Sequence, residues 1–185
     1  GSVFGAAALD GATMASATLE DASFAGARAP RTSWERATLD RAIFDDAVVC
    51  DANFARASLG VASFRGADLA RSDLSAVAGE GADFSEATLA KCDLRMSKLQ
   101  DARFERAVLT EVNAQKAIVN GSRFAGADLA RSSWRGARMR SCDLQGASLG
   151  GADLRDADLD SAKLEGTDRT GAKLAGANLK NAQGL

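Results

Sequence analysis

A large apolar side chain recurs at every fifth residue, from Phe4 through Leu9, Met14, Leu19 and Phe24 to Leu174 and Leu179. The frame holds without insertion or deletion over 37 centre positions, ending at Gly184. Two residues before each centre the side chain is always small: 26 of these 37 are alanine, and the others are Ser, Thr, Cys or Val. The remaining three positions of each unit are mostly polar, charged or glycine. Few backbones accept that spacing. On an α-helix, five residues rotate the chain by roughly 500°, so successive centres drift around the whole cylinder. On a strand five is odd, so successive centres point to opposite faces. If each unit instead turns the chain by a right angle, every centre points inward and four units close a square coil of twenty residues. Stacked coils then pair backbone to backbone at about 4.8 Å, as strands do.

Such a coil requires residues twenty apart to stack. Phe4, Phe24, Phe44, Phe64, Phe84, Phe104 and Phe124 are seven of the eight phenylalanines, and the eighth, Phe54, is also a centre. Trp34 and Trp134 share one other side. These ten aromatic residues form the expected structural core, with offset stacking adding to the area they bury. Thirteen of the eighteen glycines fall in the register two residues after a centre. There a sharp corner needs positive φ, which glycine accepts without a Cβ penalty.

The units "GADLA" (66–70), "GADLR" (151–155) and "GANLK" (176–180) resemble the pentapeptide-repeat family, and the resemblance covers essentially the whole chain. It implies an all-β fold, a right-handed quadrilateral β-helix with both the small side chains and the centres inside. Of that description, only the handedness rests on the resemblance alone. About nine coils at the strand spacing make a rod of roughly 44 Å. Gly1-Ser2 reads as a cloning scar, which leaves residues 3–185 as a single solenoid domain.

Five centres lack a large apolar side chain: Ala29, Gly79, Ala114, Arg169 and Gly184. Ala114 stacks between Leu94 and Trp134, so the indole is expected to fill its space. At Gly79 two readings are open: Val77 substitutes for the missing leucine, or a small pocket forms. Pro30, the only proline, cannot donate to a ladder, so one lost inter-coil hydrogen bond and a kink or bulge are expected there. Arg28 and Arg31 beside it read as a solvated corner. A buried unpaired guanidinium at Arg169 is costly. Its expected escape is to solvent, paired with Asp168, as the solenoid loosens.

The chemistry-bearing residues are sparse. No histidine occurs, which removes His-based acid–base catalysis, His triads and His metal ligands. Cys50, Cys92 and Cys142 form no CxxC and read as reduced thiols of a cytoplasmic protein. Cys92 and Cys142 hold the inward small position, whereas Cys50 follows a centre and is expected at the surface. Asp156, Asp158 and Asp160 lack the glycine and glutamate of a calcium loop, and the repeat itself explains Asp153 and Asp158. No apolar run reaches the roughly 18 residues of a membrane span, and no signal peptide is visible. No catalytic, cofactor or metal residue is assigned, and the chain does not read as an enzyme.

With 23 basic and 25 acidic residues, the net charge is −2. The cluster "RSSWRGARMRS" (131–141) suggests a nucleic-acid site, but Arg123, Arg131, Arg135 and the Arg138/Arg140 pair fall on four sides of the square. Charged columns such as Arg103 and Arg123, or Glu20 and Asp40, are short and interrupted by the opposite sign. Direct nucleic-acid binding is therefore not expected.

Two functions remain. One is a rigid scaffold or spacer that presents its faces to a protein partner, which the residues do not name. The alternative follows from the resemblance, since some pentapeptide-repeat proteins mimic duplex DNA and bind type II topoisomerases. They protect gyrase from quinolones or inhibit it. Such a mimic needs an acidic surface, because phosphates dominate the grip of proteins on DNA. Here the four sides sum to about −2, 0, +2 and −2, and the coils run on without the loops or C-terminal helix that gyrase-binding members often carry. Alanine- and arginine-rich composition hints at a GC-rich bacterial genome. Both termini remain in register and would leave open backbone edges, so two readings stand: an excised domain or trimmed ends without the native caps, which is favoured, or rods that associate end to end.

Overall fold

The computed structural model describes all residues 1–185. It is a β-solenoid without helices, held by 132 backbone hydrogen bonds. The residue before each centre forms a parallel bridge to its counterparts twenty residues earlier and later. Ser23 bridges Val3 and Ile43, and the series continues at every fifth residue to the Lys163–Gln183 bridge. Each twenty-residue turn therefore carries four bridging positions.

One unit shows how the sequence builds this path. The Ser23 N–H donates to Ser2 O at 2.9 Å, and the Phe24 N–H donates to Ile43 O at 2.6 Å, so the short extended piece is bonded to the coils on both sides. The chain then turns: the Ala27 N–H donates back to Phe24 O at 2.9 Å, and Gly26 has φ 64°. Positive φ at the third residue of a bonded four-residue turn is the signature of type II geometry. Both Ala22 and Phe24 point inward on either side of the bridging residue and are buried. A methyl beside a ring lets the corner close, whereas two large side chains would collide across the narrow interior.

The buried hydrophobic residues form one continuous cluster of 52. Along one side the rings of Phe4, Phe24, Phe44, Phe64, Phe84, Phe104 and Phe124 stack with centroids 4.7–5.1 Å apart and planes within 13°. Trp34 and Phe54 stack at 5.8 Å in a second column. The two columns meet edge to face across the core, as in Phe24–Trp34 at 4.8 Å and Phe44–Phe54 at 5.8 Å. This is the offset and T-shaped geometry that the ring quadrupole favours.

Several local expectations change. Positive φ occurs two residues after every centre from Ala6 to Asn181, yet 24 of these 36 corners are not glycine. Glycine suits the corner but is not required by it. Pro30 costs no ladder bond. It occupies the second position of the Ala29–Thr32 turn, where N–H groups do not join the inter-coil backbone ladder and where type II turns favour proline. Bridges Arg28–Val48 and Ser33–Asn53 continue past it, with no bulge. At Gly79 an added Cβ would lie 2.9 Å from Leu99 Cδ2 and 3.3 Å from Leu59 Cβ. The neighbours in the same column have taken the space, so no pocket opens. Ala114 is fully buried. Arg169 is half-buried, while Asp168 Oδ1 accepts the Thr170 N–H at 2.9 Å instead of pairing with it.

Candidate interaction surface

The interior offers little chemistry. Of the expected core residues, Phe24, Phe44, Phe54, Phe64, Phe84, Phe104, Phe124, Trp34 and Trp134 are fully buried, and Phe4 is half-buried in the first coil. Cys92 and Cys142 replace the inward alanine, and each thiol donates to a carbonyl of the preceding coil, Leu69 O at 2.9 Å and Val119 O at 3.0 Å. Ser72 and Ser122 make the same bond to Val49 O and Leu99 O. Burial pushes both thiols up to about 12, so neither supplies thiolate near neutral pH. Cys50 is half-exposed.

The carboxylates suggested as a metal loop disperse to separate partners. Asp156 pairs with Arg135 at 3.4 Å, Asp158 with Arg140, and Asp160 accepts from Asn181 at 3.0 Å. No group of three or more Cys, Asp or Glu is arranged to hold a metal ion. No helix is long and apolar enough to cross a membrane.

What the fold does organise is surface charge. Corner residues twenty apart stack, and their ion pairs clip neighbouring coils together: Arg41 to Asp21 at 2.7 Å, Arg71 to Asp51 at 2.6 Å, and Arg106 to Glu86. Glu111 sits between Lys91 at 3.8 Å and Arg131 at 3.5 Å. The arginine hydrogen bonds hold Asp21, Asp51 and Glu86 below the usual carboxylate range. On the flat faces Arg155 donates to Asp153 at 2.6 Å and lowers it to about 2. Glu105 serves both Arg103 at 3.7 Å and Arg123 at 4.0 Å, and Asp83 lies 4.0 Å from Arg103, so that stacked pair is matched by two carboxylates. Arg31 reaches Asp10 at 2.7 Å, so the corner beside Pro30 is paired as well as solvated.

One corner departs from this rule. Stepping by twenty from Ser16 gives Arg36, Arg56, Ala76, Met96, Lys116 and Gly136, with no acid before Asp156. Arg36, Arg56 and Lys116 are exposed and have no carboxylate within ion-pair distance. Sequence reasoning by whole sides hid this column inside the side with sum +2. Counting corner positions separately would have exposed it.

The model of the pentapeptide-repeat family matches in 8 copies, over residues 17–54, 42–78, 62–101, 89–124, 122–160 and 152–183. The uninterrupted bridges define a β-solenoid, and the chain belongs to the pentapeptide-repeat family. No curated protein sequence matches it significantly. Among solved structures, a trypsin-treated form of QnrB1, a plasmid-mediated fluoroquinolone resistance protein, is 21% identical with a TM-score of 0.57; the match covers 87% of this chain and 86% of that one. HetL, a pentapeptide repeat protein involved in heterocyst differentiation regulation in the cyanobacterium Nostoc sp. strain PCC 7120, is 26% identical over 98% of this chain and 86% of its own, with a TM-score of 0.40. A pentapeptide repeat protein of the Arabidopsis thaliana thylakoid lumen is 28% identical over 69% of this chain and 64% of its own, with a TM-score of 0.24.

Proposed function

We propose that the protein is a non-enzymatic, cytoplasmic interaction scaffold, a right-handed quadrilateral rod of about nine twenty-residue coils that presents surface to a protein partner. The observation that carries the reading is the continuous series of bridges from Val3 to Gln183 over a single core. A backbone bonded to the next coil at every fifth residue is stiff along its length, and the side chains it displays keep fixed spacing. Four bridging positions per turn support the four-sided section. End-to-end self-association of rods through terminal backbone edges is a second, separate part of the proposal.

The competing reading is a DNA mimic that modulates DNA gyrase. It draws on the fold likeness to a fluoroquinolone resistance protein, and the charge distribution opposes it. Many carboxylates that would stand in for phosphates are already held by arginine, and one edge is basic.

A gyrase supercoiling assay with and without a quinolone separates the readings, with Phe84→Asp as the unfolded control. The scaffold reading expects no inhibition or protection at tens of micromolar folded protein. Protection by the folded rod that the control lacks would overturn it. Light scattering tests self-association, which a strictly monomeric profile at high concentration would refute.

A further inference from the structure

The basic corner continues onto the adjoining face. Lys98 and Arg138 lie two positions beyond the corner column, in the bridging column of the next side, where Ile118 is stacked between them. Both cations are exposed and unpaired. Of the 23 lysines and arginines, thirteen have a carboxylate within 4.0 Å. Five of the other ten, Arg36, Arg56, Lys98, Lys116 and Arg138, line this single edge. Four more, Lys163, Arg169, Lys173 and Lys180, lie in the last coils.

Stability does not explain the arrangement. At the other corners, stacked charges are mostly opposite and pair between coils. Here Arg36 stacks over Arg56, and like charges at stacked positions are destabilising. Met96 sits between the cations in the same column with 59% of its surface exposed and φ 56°. An apolar L-residue in the left-handed region is strained, and this one leaves more than half of its surface in solvent. The acids nearest the edge do not neutralise it. Asp93 is taken by Arg95, Asp156 by Arg135, and Asp158, the bridge neighbour of Arg138, by Arg140, while Asp73 and Glu35 lie within ion-pair distance of no cation. The edge is thus charged, partly apolar and unfavourable for the free rod, a combination that complexation relieves.

We infer that the Arg36–Arg138 edge docks an extended acidic segment of a partner protein that carries an apolar side chain opposite Met96. This rests on the scaffold reading and supplies the chemistry of its partner. Five coil spacings separate the coil of Arg36 from that of Arg138, roughly 24 Å. An extended chain covers that distance in about seven residues. Exposed Met96 and half-buried Ile118, with both tryptophans and all full-coil phenylalanines buried, favour a peptide over nucleic acid, which uses aromatic platforms for its bases.

The test is fluorescence anisotropy at low salt with the intact protein and three probes of similar length: an alternating Glu/Leu peptide, an all-Glu peptide, and a DNA oligonucleotide. The proposal expects the Glu/Leu peptide to bind at least about tenfold tighter than either other probe, a difference of about 1.4 kcal/mol. Arg56→Glu with Lys116→Glu should reduce that binding at least about tenfold, and Met96→Ser should narrow the gap between the two peptides. Arg56→Glu places opposite charges in the Arg36 stack, so its Tm should equal or exceed wild type, which shows that lost binding is not lost folding. No peptide binding, binding that ignores the charge reversals, or tighter DNA binding through the same cations would each overturn the proposal. A clear fall in Tm for Arg56→Glu would make the edge structural and overturn it as well. None of these outcomes touches the scaffold reading, which the supercoiling assay decides.

Discussion

The first two thirds of the solenoid and the last third obey the same backbone rule with different residues. From Phe4 to Trp134 the core is threaded with rings; beyond it the fully buried centres are Met139, Leu144, Leu149, Leu154, Leu159 and Leu164. The corners differ in the opposite sense. Of the 26 corner positions from Ala6 to Arg131, six are glycine; of the ten from Gly136 to Asn181, six are. The aromatic region therefore carries most of the strained L-residue corners, and many of these are the charged residues that clip coils together. The aliphatic region has the relaxed corners. Corner geometry follows from the inward register and the bonds between coils, and glycine lowers its cost where the core has less to offer.

The largest test of this contrast lies in one column. Phe44 stacks on Phe24 and Phe64 and meets Trp34 and Phe54 edge to face, whereas Leu144 occupies the same column five coils later. We expect Phe44→Ala to cost about 4–5 kcal/mol and Leu144→Ala about 3 kcal/mol in denaturant unfolding. Equal costs would mean that ring interlock adds nothing beyond buried volume.

A smaller effect compares the two tryptophans. Trp134 Nε1 donates to Ser132 Oγ at 2.9 Å, and that hydroxyl donates to Leu129 O across the preceding corner of the same coil. Thr32 holds the corresponding place beside Trp34, but its hydroxyl donates to Leu9 O of the preceding coil, and Trp34 Nε1 is buried without a partner. Ser132→Ala should cost about 1–3 kcal/mol by orphaning the second indole. Thr32→Ser should regain about 1 kcal/mol if the freed hydroxyl turns toward Trp34. Thermal melts of both variants decide it, and a destabilising Thr32→Ser would show that the threonine methyl packs better than the indole bonds.

These particulars mark what was legible in the sequence. The five-residue frame and the twenty-residue phenylalanine spacing carried the repeating bridge, because a register is a one-dimensional property. Pro30 misled because the lost N–H was assigned to the ladder, when the second turn position donates to no other coil's backbone. Gly79 was read through its neighbour Val77, but the space was taken by Leu59 and Leu99, forty residues apart in sequence. Trp34 and Trp134 look equivalent in the frame, and only hydroxyl orientation separates them. The basic edge was hidden because paired and free cations are the same letter.

Corner strain gives the next effect. Val61 is β-branched, 67% exposed and held at φ 55°, so it contributes strain with little burial. Val61→Gly should stabilise by about 1 kcal/mol, the relieved left-handed penalty less the greater freedom of an unfolded glycine. Gly151 has φ 67°, and an added Cβ there would make only ordinary contact with Arg131 Cγ at 3.7 Å. Gly151→Ala should therefore destabilise by about 1 kcal/mol through conformation alone. If the two changes do not have opposite signs, the corners are not where the two regions differ.

The smallest effect is electrostatic and local. Hydrogen bonding from Arg155 lowers Asp153 from 3.8 to about 2. A carboxylate depressed in the folded state contributes stability that is present above its unfolded value and lost as pH falls through the folded one. That contribution is therefore complete above about pH 4 and disappears between pH 4 and 2. Exposure and screening keep it small, as for surface pairs generally. Tm measured across that window should fall more steeply for wild type than for Arg155→Gln, and the two curves should converge near pH 2. The corner pair Asp51–Arg71 spans two coils, whereas Asp153–Arg155 lies within one unit. If coil-to-coil clipping is what makes the charged corners worth their strain, Arg71→Gln should flatten the acid limb more than Arg155→Gln does, and the reverse order would place the benefit of these pairs on the faces.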